Sequence, residues 1–198
     1  DVCLAKTGDG KKAIDIAAQS VPIMASVPSY KRAEILQKIS DRILGNKEEL
    51  SMTITLENGK PVSESKAEVE RAALTFRIAS EEAARIGGEF ISLDRNRLSE
   101  GRWGITRRFP CGTVFGITPF NFPLNLVAHK VAPAIAAGNP IILKPSSKTP
   151  VTALMLGEAI MESGIPETCV QIIPCNSMVA ETIATDRRIK VLSFTGSA

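Results

Sequence analysis

Short apolar runs alternate with segments of helical periodicity over the C-terminal half of the chain. The apolar runs cover residues 113–117, 140–143, 170–173 and 189–194. Between them, apolar residues recur at three- and four-residue intervals over 125–137, 149–162 and 176–184. Short buried strands separated by helices are typical of a parallel sheet covered on both faces. We therefore predict an α/β fold for this half, an open parallel sheet with flanking helices.

The N-terminal half has a different pattern, in which helical periodicity is uninterrupted by strands. It predicts helices over residues 29–45, 46–58 and 62–86. Asn46, with Glu49 three residues later, is a candidate capping box for the second of them. Thr149, directly before Pro150, is the matching N-cap candidate for a helix of the C-terminal half. These helices are expected to pack beside the sheet.

The glycine-rich stretch 8–13, with the sequence GDGKKA, partly resembles a phosphate-binding loop. The strand before it would cover only residues 2–5, and no acidic residue follows at the distance that a dinucleotide-binding motif requires. A phosphate site in this stretch is therefore disfavoured.

Residues 90–110 have the character of a hairpin. A polar turn region around Asp94–Asn96 precedes an apolar and basic run, which is a candidate strand. The charged residues here are also compatible with a merely solvated surface. We predict a hairpin that projects from the domain.

Composition excludes several classes of function. The net charge of the 198 residues is +3, the basic residues are dispersed and only 5% of residues are aromatic, which disfavours nucleic-acid binding. No apolar run approaches the roughly 20 residues that cross a bilayer, so no membrane partner is expected. The four cysteines lack metal-ligand spacing and His129 is the single histidine, so no metal site is predicted. Four cysteines could form disulfides, but Cys169 and Cys175 lie in or beside one apolar run, which favours free thiols in a reducing cytoplasm.

Three loops at predicted strand ends carry the candidate chemistry. They are Gly116–Pro123 (GITPFNFP), Leu143–Pro150 (LKPSSKTP) and Ser193–Ser197 (SFTGS). Ligands of open parallel sheets bind beyond the C-terminal ends of the strands. All three loops should therefore face one crevice.

The order and sequence of these motifs closely resemble the aldehyde dehydrogenase superfamily. Residues 118–123 (TPFNFP) match its P-[FW]-N-F-P signature, 143–147 (LKPSS) its K-P strand end and 193–197 (SFTGS) its F-T-G-S turn. The resemblance also covers 59–61 (GKP) and 132–138 (APAIAAG), and so spans nearly the whole chain. It implies a Rossmann-like cofactor domain and an oxidation of aldehydes through a cysteine thioester.

The resemblance also implies roles for individual residues. Asn121 matches the family's oxyanion-hole asparagine, whose amide N–H stabilises the alkoxide formed when a thiolate attacks an aldehyde. From the residues alone, a turn-forming asparagine is an equal alternative. Lys144 matches the lysine that binds the adenosine ribose, and Ser197 matches a pyrophosphate contact at the start of the next helix. The cofactor-binding positions implied are Thr118, Pro119, Phe120, Lys144, Ser146, Ser147, Gly196 and Ser197.

The implied cofactor is NADP or NAD, and the implied substrate is a small-molecule aldehyde. Many relatives have a glutamate, which accepts the ribose hydroxyls, at the position of Ser147. Serine removes that charge and Lys148 adds the opposite one, which favours NADP. In the family a hairpin in the position of 90–110 joins the oligomerisation element, so a homo-oligomer, a dimer or tetramer, is expected. Trp103 is a candidate interface anchor.

The family's nucleophilic cysteine and general-base glutamate both follow the F-T-G-S turn, and neither motif occurs here. Cys111 and Cys175 stand where the family has no nucleophile, and His129 is interpreted as structural. We therefore expect residues 1–198 to be one incomplete NAD(P)-binding domain that is catalytically silent alone. A CoA-acylating relative, and a non-catalytic binding or interaction domain, remain the alternatives.

Overall fold

A computed structural model describes residues 2–197, so Asp1 and Ala198 lie outside the description. Its α-helices are α1 Thr7–Ser26, α2 Ser29–Gly45, α3 Lys47–Asn58, α4 Val62–Ala83, α5 Asn125–Ala136, α6 Pro150–Met161 and α7 Ser177–Ala184. Its strands are β1 Phe90–Ser92, β2 Trp103–Ile105, β3 Thr113–Ile117, β4 Ile141–Lys144, β5 Val170–Ile172 and β6 Ile189–Phe194. The α/β pattern predicted from the sequence is confirmed.

The main sheet contains β5, β4, β3 and β6 in that order, and all of its strands are parallel. The chain moves from β3 outward through β4 to β5, and then returns to place β6 on the opposite side of β3. The order of strands thus reverses at β3. In open α/β sheets such a reversal opens a crevice at the C-terminal ends of the strands.

Two hydrophobic clusters cover the two faces of this sheet. Val114 and Ile141 point into a large cluster with α2 to α6, whereas Phe115 and Ile142 point into a smaller one with α1 and α7. Successive residues of a strand face opposite sides, so both faces of β3 and β4 must be apolar. This is why these strands appear in the sequence as continuous apolar runs.

Helix α1 was not predicted, and its position explains the glycine-rich stretch 8–13. Gly10 lies inside α1 against α7, where an added Cβ would come within 2.8 Å of a Val179 side-chain carbon. Its small size therefore permits a close contact between helices rather than an approach to phosphate. The short extended segment before it contributes a single parallel bridge, between Ala5 and Cys175.

The side-chain caps predicted for two helices do not form. The Asn46 side chain makes no capping hydrogen bond, so the predicted capping box is wrong; its backbone, at φ −101° and ψ 22°, simply turns the chain from α2 into α3. Thr149 also makes no side-chain cap, because a distant carboxylate occupies the start of α6. Helix α4 ends at Ala83, three residues before the predicted end.

The hairpin forms a separate two-stranded antiparallel sheet in which Phe90 pairs with Ile105 and Ser92 with Trp103. These four residues share one face, and the Phe90 and Trp103 rings stack at a centroid distance of 5.5 Å. Phe90, Trp103 and Ile105 are 71%, 60% and 69% exposed, so this face is an uncovered apolar surface in the isolated chain. Within residues 2–197, none of the helices combines the length and apolar character needed to cross a bilayer.

Candidate active site

The three predicted loops meet at the C-terminal edge of the sheet. Ile117, the last residue of β3, pairs with Lys144 on one side and with Phe194 on the other. The Thr118 N–H donates to the Lys144 carbonyl at 3.2 Å, and the Thr195 N–H donates to the Ile117 carbonyl at 3.1 Å. The backbone therefore holds the starts of all three loops side by side, over the strand at which the sheet order reverses.

Several polar groups of the loop after β3 are already bonded within the protein or absent. The Thr118 N–H is already bonded to β4, Pro119 has no N–H, and the Phe120 carbonyl accepts from the Asn58 side chain at 2.5 Å. The Thr118 hydroxyl is buried and, within the described part of the chain, has no hydrogen-bond partner. A buried hydroxyl without a partner is costly, so a ligand that bonds it would stabilise this loop.

Asn121 lies in the same loop and is exposed to solvent. Its main-chain carbonyl accepts a hydrogen bond from the Lys60 ammonium at 2.7 Å. Its side-chain amide forms none of the hydrogen bonds found among residues 2–197, and so it caps no turn there. The backbone is thus fixed while the amide is available to a bound group.

The Ser146 side chain stabilises a turn in the loop after β4. The Lys148 N–H donates to the Ser146 hydroxyl at 3.2 Å, which closes a tight turn and leaves Ser147 exposed. The half-buried Lys144 ammonium donates to the Pro145 carbonyl at 3.1 Å. The Lys148 ammonium lies 4.7 Å from the centroid of the Phe120 ring, in cation–π contact. Charge on this loop is therefore wholly positive.

A buried lysine, which the sequence analysis did not single out, binds the loop after β6. Lys130 of α5 donates to the Thr195 and Ser193 hydroxyls at 2.8 and 3.1 Å. Burial lowers the pKa of its ammonium group. The signal in the sequence was a lysine within a mostly apolar helix. The neighbouring His129, in contrast, faces solvent.

Gly196 and Ser197 are both exposed at the tip of this third loop. A Cβ on Gly196 would lie 2.7 Å from the Phe194 ring, so the glycine leaves room for that ring. The helix that Ser197 was expected to begin lies outside the described residues.

Two carboxylates missed by the sequence analysis cap the helices that follow the first two loops. Glu68 of α4 accepts from the Leu124 and Asn125 N–H groups at the start of α5, at 2.9 and 3.1 Å. Glu57 of α3 accepts from the Val151 and Thr152 N–H groups at the start of α6, at 2.6 and 2.9 Å. Both N-termini are therefore already neutralised, and neither is free to bind an anion.

The cysteines offer no activated nucleophile. Cys169 and Cys175 are buried, and burial raises the pKa of each thiol; for Cys175 the nearby Lys144 ammonium offsets part of this rise. The Cys111 thiol donates to the Asn139 side chain at 3.4 Å. Among residues 2–197, no three His, Cys, Asp or Glu side chains lie close enough together to hold a metal ion.

Comparison with known proteins decides the family. The profile of the aldehyde dehydrogenase family matches residues 1–198. The chain belongs to this family. The family membership inferred from the three loop motifs is thereby confirmed.

Curated relatives and solved structures agree with this assignment. The chain is 39% identical over 198 residues to 3-sulfolactaldehyde dehydrogenase of Priestia megaterium, covering 100% of this chain and 41% of the relative. It superposes on aldehyde dehydrogenase 21 of Physcomitrella patens, solved with the reaction product succinate, with a TM-score of 0.94 and 44% identity over 98% of this chain and 40% of that one. The chain therefore spans about two fifths of the length of these relatives.

Solved members of the family hold either nicotinamide dinucleotide. Glyceraldehyde-3-phosphate dehydrogenase GapN of Methanocaldococcus jannaschii was solved with NADP; it has a TM-score of 0.93 and 36% identity over 100% of this chain and 43% of that one. PnpE was solved with nicotinamide adenine dinucleotide and has a TM-score of 0.92 and 32% identity, over 99% of this chain and 40% of that one. An NAD(P) cofactor is thus a property of the solved relatives, without a preference between its two forms.

Proposed function

We propose that residues 1–198 are the N-terminal, cofactor-binding part of an NAD(P)-dependent aldehyde dehydrogenase. The observation that carries this proposal is the meeting of three strand-end loops at the reversal point of the sheet, with the Asn121 amide free beside them. The whole protein would oxidise an aldehyde to a carboxylic acid. A carboxylate, succinate, is the product bound by the relative from Physcomitrella patens.

The residues present suit a dinucleotide. The Lys144 ammonium would donate to the hydroxyls of a ribose, and the unpartnered Thr118 hydroxyl would bond the group that lies over β3. Exposed backbone at Gly196 and Ser197 would lie against the pyrophosphate. When bound, the nicotinamide supplies the acceptor for the hydride that leaves the substrate.

Asn121 would act on the substrate itself. When a thiolate adds to the aldehyde carbon, the carbonyl oxygen becomes an alkoxide that needs a hydrogen-bond donor. A preorganised amide in this position stabilises the transition state by about 2.7–4 kcal/mol. In this proposal the thiolate and the general base belong to the remainder of the whole protein. We also propose that the whole protein is cytoplasmic, because Cys3, Cys111, Cys169 and Cys175 are all free thiols.

We infer that the whole protein prefers NADP. Ser147 is exposed and neutral, and Lys148 adjoins it with its ammonium 4.7 Å from the Phe120 ring centroid. A 2′-phosphate at this loop would meet the positive charge of Lys148, and the loop itself contributes no carboxylate. A hydrogen bond to a charged group contributes about 1.5–3 kcal/mol, and the lower end of this range corresponds to a preference of about tenfold.

Titration of the whole protein with each dinucleotide tests this preference. We expect NADP to bind about tenfold more tightly than NAD, and Lys148→Glu to abolish or reverse the difference. Lys38→Glu is the matched control. It makes the same charge change at an exposed position of α2, in a surface depression that Asp41 and Glu162 also line. Tighter binding of NAD by the unmodified protein would show that the preference is wrong.

We further propose that the exposed face of the hairpin joins subunits. Changing Trp103 and Ile105 together to serine should shift the whole protein to a smaller oligomer, because each buried anchor of this size contributes about 2 kcal/mol to an interface. Light scattering measures the mass directly. Tyr30→Ser is the control, since Tyr30 is 63% exposed on α2 and lies outside the hairpin. An unchanged oligomer in the double variant contradicts the proposal.

A further inference from the structure

The turn between α3 and α4 contacts the loop that carries Asn121. Gly59 adopts φ +80° at the end of α3, a left-handed conformation that favours glycine and reverses the chain. The residues on either side of it both reach across to the loop. Asn58 donates to the Phe120 carbonyl at 2.5 Å, and Lys60 donates to the Asn121 carbonyl at 2.7 Å.

Lys60 also belongs to a buried ion pair. Its ammonium lies 2.7 Å from a carboxylate oxygen of Glu68, and the two side chains are 9% and 0% exposed. Removing two charges from water is costly, and a buried ion pair is by itself weak support for stability. A buried pair in this place therefore points to a contribution other than fold stability.

The polar atoms of this pair are used on the same loop. One Glu68 oxygen binds Lys60, and the other accepts from the Leu124 and Asn125 N–H groups, directly after the loop. The Lys60 ammonium, besides binding Glu68 and the Asn121 carbonyl, lies 4.5 Å from the centroid of the Phe122 ring. The backbone of residues 121–125 is thus held at both ends by one buried charge pair.

We propose that Lys60 and Glu68 are positioning residues for the Asn121 amide, assisted by Asn58. This inference rests on the proposed function, in which that amide donates to the oxyanion. An oxyanion donor acts only if its N–H group is fixed where the charge develops, and small displacements cost much of the rate. The ion pair fixes the main chain of Asn121 and leaves its side chain free to meet the substrate.

The test is a double-mutant cycle in the whole protein, measured as the single-turnover rate of reduced cofactor formation. Lys60→Met keeps the length and apolar stem of the side chain but removes the charge. We expect it to lower the rate about tenfold or more, with the affinity for the dinucleotide unchanged. In an Asn121→Ala background the same change should cost almost nothing, because the donor that it positions is already absent.

Two variants separate positioning from folding. Lys60→Arg retains the charge and should restore most of the rate. Lys47→Met removes a lysine that also joins α3 to α4, through Glu70 at the surface, and should leave the rate unchanged. If Lys60→Met does not fold by circular dichroism, Asn58→Ala is taken through the same cycle, with a smaller loss expected.

The outcomes distinguish this proposal from the one on which it rests. An active whole protein in which Lys60→Met keeps its rate, or in which the losses from Lys60→Met and Asn121→Ala add, overturns the positioning role alone. Additive losses from Asn58→Ala overturn it equally. A whole protein that forms no reduced cofactor from any aldehyde overturns the proposed function, and the positioning role with it.

Discussion

Replacing Asn121 with alanine is expected to lower the turnover of the whole protein by about 10²–10³-fold. The Asn121 side chain is exposed, and the Lys60 ammonium fixes the backbone by donating to the Asn121 carbonyl. The substitution therefore removes a donor without disturbing the loop. Binding of the dinucleotide should change little, because the proposed contacts to it come from other residues. Single-turnover formation of reduced cofactor, beside an equilibrium titration, measures both quantities.

Asn96→Ala is the control for the alternative that Asn121 merely forms a turn. The Asn96 side chain does cap a turn, accepting from the Leu98 and Ser99 N–H groups at 2.9 and 3.1 Å in the hairpin. Its loss should lower the stability of the hairpin and leave the turnover intact. If Asn121→Ala behaves in the same way, with reduced stability and full turnover, the oxyanion role is wrong.

The parts of the fold that follow from local pattern could be predicted. Val114 and Phe115 face opposite sides of one sheet, and Ile141 and Ile142 repeat this one strand away, so both strands had to be apolar throughout. Parallel strands covered by helices then bring their C-terminal ends to one edge. The meeting of the loops at Ile117 and Lys144 follows from that topology alone.

Contacts between distant segments could not be predicted in this way. At the starts of α6 and α5, Glu57 and Glu68 accept from N–H groups 94 and 56 residues later along the chain, and nothing in the local sequence around either marks it as a cap. Thr149 had the local signature of an N-cap, but the Glu57 carboxylate took its place. Helix α1 was missed for another reason, because Gly8, Gly10 and Pro22 interrupt its apolar spacing.

The role of Asn121 depends on contacts that its own sequence motif does not contain. Its motif indicated a role through family resemblance, and the structure adds that its amide is exposed and its carbonyl is bonded to Lys60. The lysine in that bond is paired with Glu68, which lies eight positions later, beyond the start of α4. Residues 59–61 (GKP) are recognisable in the sequence as a family motif, but only the fold shows that Lys60 contacts the loop that carries Asn121.

The 198-residue chain alone is expected to oxidise no aldehyde. Covalent oxidation requires a thiolate within reach of both the aldehyde carbon and the Asn121 amide, and then a base that activates water. Burial raises the pKa of Cys169 and Cys175, so at neutral pH both remain thiols, which are poor nucleophiles. Cys111 is engaged with Asn139, and Cys3 is exposed in the segment before α1.

The assay compares this chain, at a mass verified by spectrometry, with the whole protein under the same conditions. Circular dichroism establishes that the helices are formed, so that an absence of activity is not a result of unfolding. We expect no formation of reduced NAD or NADP above the background without protein. Turnover by the verified chain would mean that one of its own cysteines is the nucleophile. Cys175→Ser is then the first variant to measure, because Cys175 is the thiol whose pKa the Lys144 ammonium of the proposed cofactor site already lowers in part.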